Sequence, residues 1–564
     1  MKRLFPLLYL LLLCLPAIAL AEDDTPQPLE MTIHNEVLNP VDTRIFGHFL
    51  ERYGPREPGP EALIDPATGE MNREALRRIE EMGSPITRYP GGTYLEKGPL
   101  WTTLIDGAYD RAQRARPAGS TFGYDEFLNL CEAHGTEPLL VTALSRPLIH
   151  LGKETWVGTQ EHAAALVAYC NAPVDADLPE NLLRWARLRA ENGRVEPWGV
   201  KYWQVGNEPF LAFWWPLDKL NKNIETITRM YVDQVEAQIQ AMRAVDPSIE
   251  IFVETHLENN HPDSETTRVL RERLGDQIDY VTYHLYQPWQ ILKIERDGAA
   301  IDPLEFTPEQ NFLAASSTPG VHPETGQTQL RQRAFFSALE HGYKLALTEW
   351  NWNGWFSVGI GSYNRERRDL HAAGLGAAGI LHAMIRAGEH VKIANQSMQV
   401  GTNWAITGVH LPTADETHPI VVTPTGLATT LLRNHHGNAL LQTAVENQTF
   451  YTQPFRLAAI APKDKVAHVD WLVTRGENSI FIHTINRDFH HDRPMQVRLE
   501  GFERKPGAVV RHSMIRQKTP QVAMLDHSML ESVALKDALQ PDATLEFDLP
   551  AQSLNIIEVR LSAQ

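Results

Sequence analysis

Two glutamates stand directly after apolar runs that are typical of buried strands. In "KYWQVGNEPF", residues 201–210, Glu208 ends such a run and Pro209 prevents the strand from continuing. In "LALTEWNW", residues 345–352, Glu349 ends another. Glycoside hydrolysis needs a carboxyl pair, because one group protonates the departing oxygen while the other attacks or activates water at the anomeric carbon. One glutamate alone after a strand is more often a surface residue or a helix cap, so the fold must bring the two together.

The elements that would position these glutamates are strand-like runs alternating with helical patterns. The eight runs read "TRIFGHFLE", "SPITRYP", "EPLLVTAL", "VKYWQVGNE", "IEIFVET", "IDYVTYHLY", "KLALTEWN" and "VKIANQ". Eight strand–helix units predict a (β/α)₈ barrel, the TIM barrel, whose strands all deliver their carboxyl ends to one mouth. Glu208 ends the fourth strand and Glu349 the seventh. The sequence therefore predicts that the two carboxyl groups face each other.

The pattern of the sequence changes past residue 438, and the residues before 43 also lack the strand–helix pattern of the barrel. Short alternating strands such as "HVDWLVTR" and "SIFIHTINR" predict a C-terminal antiparallel β-sandwich at 438–564, after a barrel at 43–437. Residues 22–42 are predicted to form an N-terminal strand segment that joins the sandwich. Residues 1–21 have a basic start, an apolar run and a small-residue end, which are typical of a secretory signal peptide. We expect a secreted or periplasmic protein with no membrane attachment in its mature form.

Composition limits the other classes of function. The chain has 564 residues and a formal net charge of -18, which argues against a nucleic-acid partner and favours a neutral or weakly charged substrate. Cys131 and Cys170 lie in helix-like segments, so a disulfide framework is excluded; buried free thiols are favoured over a single bridge. The histidine pairs at 435–436 and 490–491 have no carboxylate or cysteine at ligand spacing. No metal and no cofactor are therefore expected.

Motifs along the chain resemble those of a known enzyme family. "WQVGNEP" and "LALTEWNW" resemble the acid/base and nucleophile motifs of the retaining (β/α)₈ glycosidases. The wider pattern resembles glycoside hydrolase family 51, the α-L-arabinofuranosidases, and includes "IFGHFLER", "TRYPGG", "YHLY", "HVKIANQ", "TPTGLATTLLRNHHG" and "LNIIEVRL". The resemblance implies a retaining enzyme that releases arabinofuranosyl residues from polysaccharide side chains or oligosaccharides. Because the family is often oligomeric, a homo-oligomer is also an expectation.

The resemblance assigns roles to the motif residues. It makes Glu208 the general acid/base and Glu349 the nucleophile, with Asn207 on the sugar hydroxyl next to the reacting carbon. Glu51 of "FGHFLER" matches a carboxylate that binds furanose hydroxyls, although a solvated charge at a strand end is a competing interpretation.

Three further residues are candidates for the walls of the site. His284 and Tyr286 of "YHLY" alternate to one side of the sixth strand, and the resemblance implies that the tyrosine orients the nucleophile. Packing roles in the core are the alternative for both. Arg88 and the glycines of "RYPGG" shape the floor and wall of the site, or form an ordinary tight turn.

The sequence departs from the family pattern at two places. Thr93 stands where the family has an asparagine that contacts the sugar, and Gln396 and Gln399 straddle the position of a strand-eight glutamine. These departures leave the chemistry intact but keep another sugar open, as in a β-xylosidase, a β-glucuronidase or an endoglucanase. A catalytically inactive carbohydrate-binding protein is the alternative from another class. Retention of both glutamates and of Asn207 argues against it.

Tryptophans are frequent around the predicted mouth, where their faces can stack on sugars. They are Trp214, Trp215, Trp289, Trp350, Trp352 and Trp355. Trp350, next to the predicted nucleophile, is the one predicted to bind substrate, although core packing is the usual role of a single tryptophan.

Overall fold

The computed structural model of the chain describes most of the predicted barrel and sandwich. The described residues are 27–51, 59–65, 68–92, 101–105, 122–144, 159–210, 223–255, 265–302, 305–330, 339–352, 355–356, 370–402, 407–412, 419–502, 510–516, 530–535 and 544–561. The predicted signal peptide, Thr93, Trp214 and Trp215 lie outside them, as do the side chains of 355–356.

Eight parallel strands form a closed barrel in chain order. The first to the eighth barrel strands are Gly47–Phe49, Ile86–Tyr89, Glu137–Thr142, Tyr202–Val205, Glu250–Glu254, Tyr280–Tyr286, Lys344–Asn351 and Val391–Ser397. The seventh strand pairs with the sixth and with the eighth, and the eighth pairs with the first, which closes the cylinder. Each strand coincides with one of the eight apolar runs, so the predicted barrel is confirmed.

Helices surround the barrel in the described parts of the chain. They are Arg73–Met82, Tyr124–His134, Gln160–Asn171, Glu180–Glu191, Ile224–Val245, Glu265–Leu274, Pro308–Ala315, Leu370–Ala387 and Pro424–Asn434. Several of these helices have an N-cap residue with a side-chain oxygen. Asn72, Asn223 and Thr423 each accept a hydrogen bond from a main-chain amide of the first turn. The main core lies between these helices and the outer faces of the strands.

The inside of the barrel is filled near the start of its strands. Seven buried side chains, one from each of the second to eighth strands, form a single cluster there: Ile86, Leu139, Tyr202, Phe252, Tyr280, Ala346 and Ile393. This apolar plug gives the barrel a solid floor. Polar side chains nearer the carboxyl ends of the strands therefore project into the mouth above it.

A largely antiparallel C-terminal region follows the barrel, as predicted. Nine strands form its main sheet, in the order Leu530–Leu535, Val510–Arg516, Ser553–Arg560, Ser479–Asn486, Val469–Arg475, Ala439–Glu446, Leu29–Pro40, Arg493–Glu500 and Thr544–Leu549. The N-terminal strand Leu29–Pro40 thus lies inside this sheet, antiparallel to one neighbour and parallel to the other. Side chains from strands at both ends of the order share one buried cluster, so the sheet folds over a common core.

Short strands complete the described structure. They are Gln290–Ile291, Ile294–Arg296, Ala299–Ala300, Trp355–Phe356, Val400–Gly401, Val409–His410, Val421–Val422, Phe450–Gln453, Phe455–Leu457 and Lys463–Ala467.

Cys131 and Cys170 are both buried free thiols, and burial raises the pKa of each. Within the described residues, no helix is both long and apolar enough to cross a membrane.

Candidate active site

The fourth barrel strand ends in a turn that carries Glu208 into the mouth. Gly206 adopts a left-handed conformation, with φ 81°, and a Cβ there would lie 2.5 Å from the side chain of Leu144. Glu208 itself has φ 45°, a region that costs a non-glycine residue about 1–3 kcal/mol. Its main-chain amide donates to Glu254 Oε2 at 3.2 Å, which stabilises the strained turn. The strand therefore ends where it does because a turn presents Glu208 to the barrel mouth.

Glu349 on the seventh strand is buried and has a donor on each carboxylate oxygen. Arg88 Nη1 donates to its Oε1 at 2.8 Å, and the Tyr286 hydroxyl donates to its Oε2 at 2.8 Å. The Glu349 side chain is 6% exposed. Two donors, one of them positively charged, offset the cost of burying an ionised carboxylate and fix its orientation.

Arg88 connects three barrel strands at the floor of the mouth. It is fully buried, and its Nε donates to Gln204 Oε1 at 2.8 Å while its Nη2 donates to Asn207 Oδ1 at 2.7 Å. Its third nitrogen holds Glu349, and its guanidinium lies 4.5 Å from the centroid of the Phe49 ring. The sequence predicted Arg88 in the floor and wall of the site, and the structure adds a direct bond to the predicted nucleophile.

His284 lies between the two glutamates. Its Nδ1 is 3.1 Å from Glu208 Oε1 and 3.4 Å from Glu349 Oε2. Burial opposes a positive charge on the ring, but the negative charges of Glu349, Glu254 and Glu208 outweigh it and raise the pKa of His284. A protonated His284 donates from Nδ1 to Glu208, which balances the charge of the carboxyl groups around it.

The three side chains form a compact group. One donor or acceptor atom from each of Glu208, His284 and Glu349 lies within 4.8 Å of the other two. The bonds of Arg88, Tyr286 and the imidazole account for this proximity. The absence of a metal and of a cofactor stays a prediction from the sequence.

Glu51 and Asn207 are held by the glycine turn after the second strand. Gly92 has φ 69°, and a Cβ there would lie 1.5 Å from Glu51 Oε1, so the bare glycine backbone leaves room for the carboxylate. The Gly92 amide donates to Asn207 Oδ1 at 3.2 Å, beside the bond from Arg88. Two donors on one oxygen fix the plane of the Asn207 amide. Glu51 is buried at the end of the first strand rather than solvated.

Two of the predicted substrate-binding residues point away from the mouth. Trp350 is fully buried in the main core, because it alternates with Glu349 along the strand and faces the helices. Gln396 is also buried; its Oε1 accepts from the Thr429 hydroxyl at 2.6 Å, on the helix outside the barrel. Both are therefore packing residues in the structure, and the prediction that they contact substrate is corrected.

The eighth strand presents Ser397 to the mouth instead of a glutamine. The Ser397 hydroxyl lies 2.6 Å from the Tyr286 hydroxyl, which also donates to Glu349. The sequence analysis missed this residue because it looked for a glutamine near this position, as in the family pattern, and did not consider Ser397. Gln399, the other candidate, is buried.

Other tryptophans of the predicted cluster occupy different environments. Trp352 is buried, and its indole nitrogen donates to the Ala315 carbonyl at 3.1 Å, which is a packing role. Trp289 is 39% exposed, and its ring lies edge-on to that of Tyr286, with centroids 4.7 Å apart. Trp289 is thus an exposed aromatic surface beside the mouth, where a sugar ring can stack.

Two polar residues of the site carry signals that the sequence analysis did not use. Gln204 is a fully buried amide in the middle of the apolar run of the fourth strand, where it accepts from Arg88. Glu254 ends the fifth strand, much as Glu208 follows the fourth and Glu349 lies near the end of the seventh. A carboxylate at the carboxyl end of a barrel strand was the signal available for Glu254.

Known proteins resemble this chain in both sequence and fold. The family model of the alpha-L-arabinofuranosidase 1 domain matches residues 78–297. Alpha-L-arabinofuranosidase C of Emericella nidulans is 32% identical over 248 residues, 42% of each chain. The intracellular exo-alpha-(1->5)-L-arabinofuranosidase 1 of Bacillus subtilis is 29% identical over 261 residues, 44% of this chain and 46% of that protein. The matched region thus spans less than half the length of these curated relatives.

The fold similarity covers nearly the whole chain. The crystal structure of an alpha-L-arabinofuranosidase from Thermotoga maritima, in complex with arabinose, superposes with a TM-score of 0.65 at 22% identity, covering 94% of this chain and all of that one. A family 51 alpha-L-arabinofuranosidase from Bifidobacterium longum gives 0.66 at 18% identity, covering 94% of this chain and 99% of that one. The chain therefore resembles alpha-L-arabinofuranosidases in sequence over less than half of its length, and it shares the fold of the family 51 structures. This bears out the resemblance of its motifs, and its barrel and C-terminal β-region have the architecture of these structures.

Proposed function

We propose that this arabinofuranosidase-like protein is a retaining α-L-arabinofuranosidase that acts by double displacement. The observation that carries the proposal is the approach of Glu208 and Glu349 across the mouth, with one carboxylate oxygen of each within 4.8 Å of the other. Retaining glycosidases hold their carboxyl groups about 5–5.5 Å apart, whereas inverting enzymes leave about 6.5–9.5 Å for a water molecule. The spacing supports direct attack by one carboxylate.

In the first step Glu349 attacks the anomeric carbon. A bond forms between a Glu349 oxygen and that carbon, and the bond from the carbon to the leaving oxygen breaks. Glu208 transfers its proton to the leaving oxygen. Arg88 and Tyr286, which donate to Glu349 at 2.8 Å each, hold the nucleophile in place before attack.

In the second step the same two residues hydrolyse the covalent intermediate. Glu208, now ionised, takes a proton from water, and the water oxygen displaces Glu349 from the anomeric carbon. Each step inverts the carbon once, so the product has the configuration of the substrate.

Glu51 and Asn207 are proposed to recognise the sugar. The Asn207 amide plane is fixed through its oxygen, which suits it to contact the hydroxyl beside the reacting carbon. A contact at this hydroxyl strengthens in the transition state of glycoside hydrolysis. Glu51, kept close by Gly92, is proposed to bind further furanose hydroxyls.

A panel of nitrophenyl glycosides tests the proposal. We expect turnover of the α-L-arabinofuranoside, with product of retained configuration by NMR. Turnover of the β-xyloside, the β-glucuronide or a glucan instead would assign another sugar to the same machinery. Binding without turnover would indicate a carbohydrate-binding protein. Glu349→Gln should be inactive, whereas Glu446→Gln, which changes an exposed glutamate of the C-terminal region, should behave as wild type.

Export is a separate part of the proposal. Residues 1–21 are proposed to be removed as a signal peptide, which delivers the enzyme to plant-type polysaccharides outside the cytoplasm. N-terminal sequencing of protein recovered from the medium or periplasm should find Glu22 first. A mature protein that retains residues 1–21 would contradict it.

A further inference from the structure

A third carboxyl group, that of Glu254, lies beside the proposed catalytic pair. It ends the fifth barrel strand and is fully buried. Its Oε2 accepts the main-chain amide of Glu208 at 3.2 Å, and its own carbonyl accepts from the Tyr231 hydroxyl at 2.6 Å. Glu254 Oε1 is buried with no hydrogen-bond partner, and so is His284 Nε2. The proposed double displacement does not use Glu254.

The bond from Glu208 to Glu254 acts on a strained residue. With φ 45°, Glu208 occupies a conformation that its side chain disfavours, so a specific contact must stabilise it. The Glu254 carboxylate supplies one at the amide of that residue, and the Tyr231 hydroxyl anchors the end of the strand from the helix Ile224–Val245. A displacement of Glu254 would therefore move the acid/base itself.

We propose that Glu254 is a positioning residue for the acid/base: it fixes the main chain of Glu208 and, through its charge, keeps the neighbouring His284 protonated. This inference rests on the proposed function, because it assigns Glu254 a part in the step that Glu208 performs.

The surroundings of Glu254 make its charge sensitive to pH. Burial, which is the largest cause, acts together with the charges of Glu208 and Glu349 to raise the pKa of Glu254 to about 7, against the opposite effect of His284 and Arg88. Tyr283, on the sixth strand, has its pKa raised by burial and by Glu254. The titratable and charged groups that face Glu254 among the described residues are thus Arg88, Glu208, Tyr231, Tyr283, His284 and Glu349.

Ionisation of Glu254 acts on His284, the residue that bonds to Glu208. Above about pH 7 the negative charge of Glu254 stands beside His284 and favours the protonated imidazole. A protonated His284 donates from Nδ1 to Glu208. An ionised Glu254 thus keeps this contact in place toward higher pH.

Two substitutions separate the charge of Glu254 from its hydrogen bond. Glu254→Gln keeps an oxygen that can accept the Glu208 amide and removes the charge; Glu254→Ala removes both. Glu250→Gln is the matched control, because Glu250 begins the strand that Glu254 ends and pairs with Lys201 at 2.7 Å, at the end of the barrel away from the mouth. Each variant is assayed as the full-length protein with two substrates. The leaving group of a dinitrophenyl glycoside departs without protonation by an acid, whereas the leaving group of an oligosaccharide needs it.

We expect the basic limb of the kcat/KM profile to move to lower pH by about one unit in Glu254→Gln and to stay in place in Glu250→Gln. In Glu254→Ala, the loss of kcat on the oligosaccharide should be about tenfold or more greater than the loss of kcat on the dinitrophenyl substrate, with KM little changed. If Glu254 had a merely structural role, kcat would fall in equal proportion on both substrates. Equal losses, or a Glu254→Gln profile that superposes on the wild-type profile, would overturn the inference.

A measurement without turnover separates this inference from the proposed function. The imidazole of His284, assigned with His284→Asn, is titrated by nitrogen NMR in wild type, Glu254→Gln and Glu250→Gln. Its midpoint should fall by about one pH unit in Glu254→Gln alone. An unchanged midpoint contradicts the inference even if the wild type is an arabinofuranosidase. A lowered midpoint in a protein that cleaves no arabinofuranoside leaves the role of Glu254 supported and rejects the sugar assignment.

Discussion

Arg88 and Glu349 form a buried ion pair beneath the mouth of the barrel, with Nη1 of one 2.8 Å from Oε1 of the other. Their side chains are 0% and 6% exposed. Breaking a buried pair leaves an uncompensated charge, so this contact is sensitive to the shape of the cation as well as to its sign. Arg88 also donates to Gln204 and Asn207, which a lysine cannot do with the same planar geometry.

Arg88→Lys should therefore lower kcat by about 10²-fold or more, because the orientation of Glu349 is lost while a positive charge remains. Steady-state kinetics on the arabinofuranoside measure the effect. Arg189→Lys is the control: Arg189 is also fully buried, but it donates to main-chain carbonyls, including that of Tyr169 at 2.8 Å. If both variants lose the same activity and the same thermal stability, the Arg88 effect is one of folding and not of nucleophile orientation.

The barrel and the proposed catalytic pair were accessible from the sequence because each depends on a local pattern. Apolar runs separated by helical segments specify strands, and counting them places Glu208 and Glu349 at one mouth. The orientation of single side chains was less accessible. A strand alternates every residue, so an error of one position exchanges Ser397 for Gln396. Trp350 was misassigned for the same reason, as the neighbour of a residue that does face the mouth.

Individual contacts between side chains and main chain were beyond sequence reasoning. Glu208 and Glu254 each carry the signal of a carboxylate at the end of a strand, but only the fold shows that the Glu208 amide donates to Glu254. The same holds for Gly92, whose bare Cα is required by a carboxylate on the first strand.

Gly92→Ala should impair sugar binding through that carboxylate. The new Cβ would lie 1.5 Å from Glu51 Oε1, so Glu51 must move and its contact with the sugar is lost. We expect KM to rise about tenfold or more. Gly199→Ala is the matched control, because Gly199 has φ 68° against 69° for Gly92 but nothing within 4 Å of the added Cβ. An equal rise in KM for both variants would show that backbone strain, and not displacement of Glu51, is the cause.

The buried carboxyl of Glu254 should make stability depend on pH. Burial raises its pKa from the ordinary 4.5 to about 7, so between these values the folded protein holds a proton that the unfolded chain releases. Rising pH therefore destabilises the folded wild type through this window, by up to on the order of 3 kcal/mol at this site.

Glu254→Gln does not titrate, so its stability relative to wild type should rise from pH 4.5 to 7 and level off above. Thermal unfolding across the window measures the difference in Tm. Glu250→Gln, on the same strand, should show no such trend. A constant difference between Glu254→Gln and wild type at every pH would mean that Glu254 ionises in the folded protein as it does in the unfolded chain.

The two glutamates of the proposed catalytic pair should differ in what external azide restores. Glu349→Ala cannot form the covalent intermediate, so turnover should fall by several orders of magnitude on every substrate; azide in the vacated space attacks the same face and gives a product of inverted configuration. Glu208→Ala still forms the intermediate from a dinitrophenyl glycoside, since that group departs without a proton. It should show a burst and then slow turnover, which azide accelerates because it needs no general base, with retained configuration. NMR of the glycosyl azides distinguishes the cases. Exchange of the two outcomes would reverse the roles of Glu208 and Glu349, and full activity in both variants would exclude the pair as the catalytic carboxyl groups.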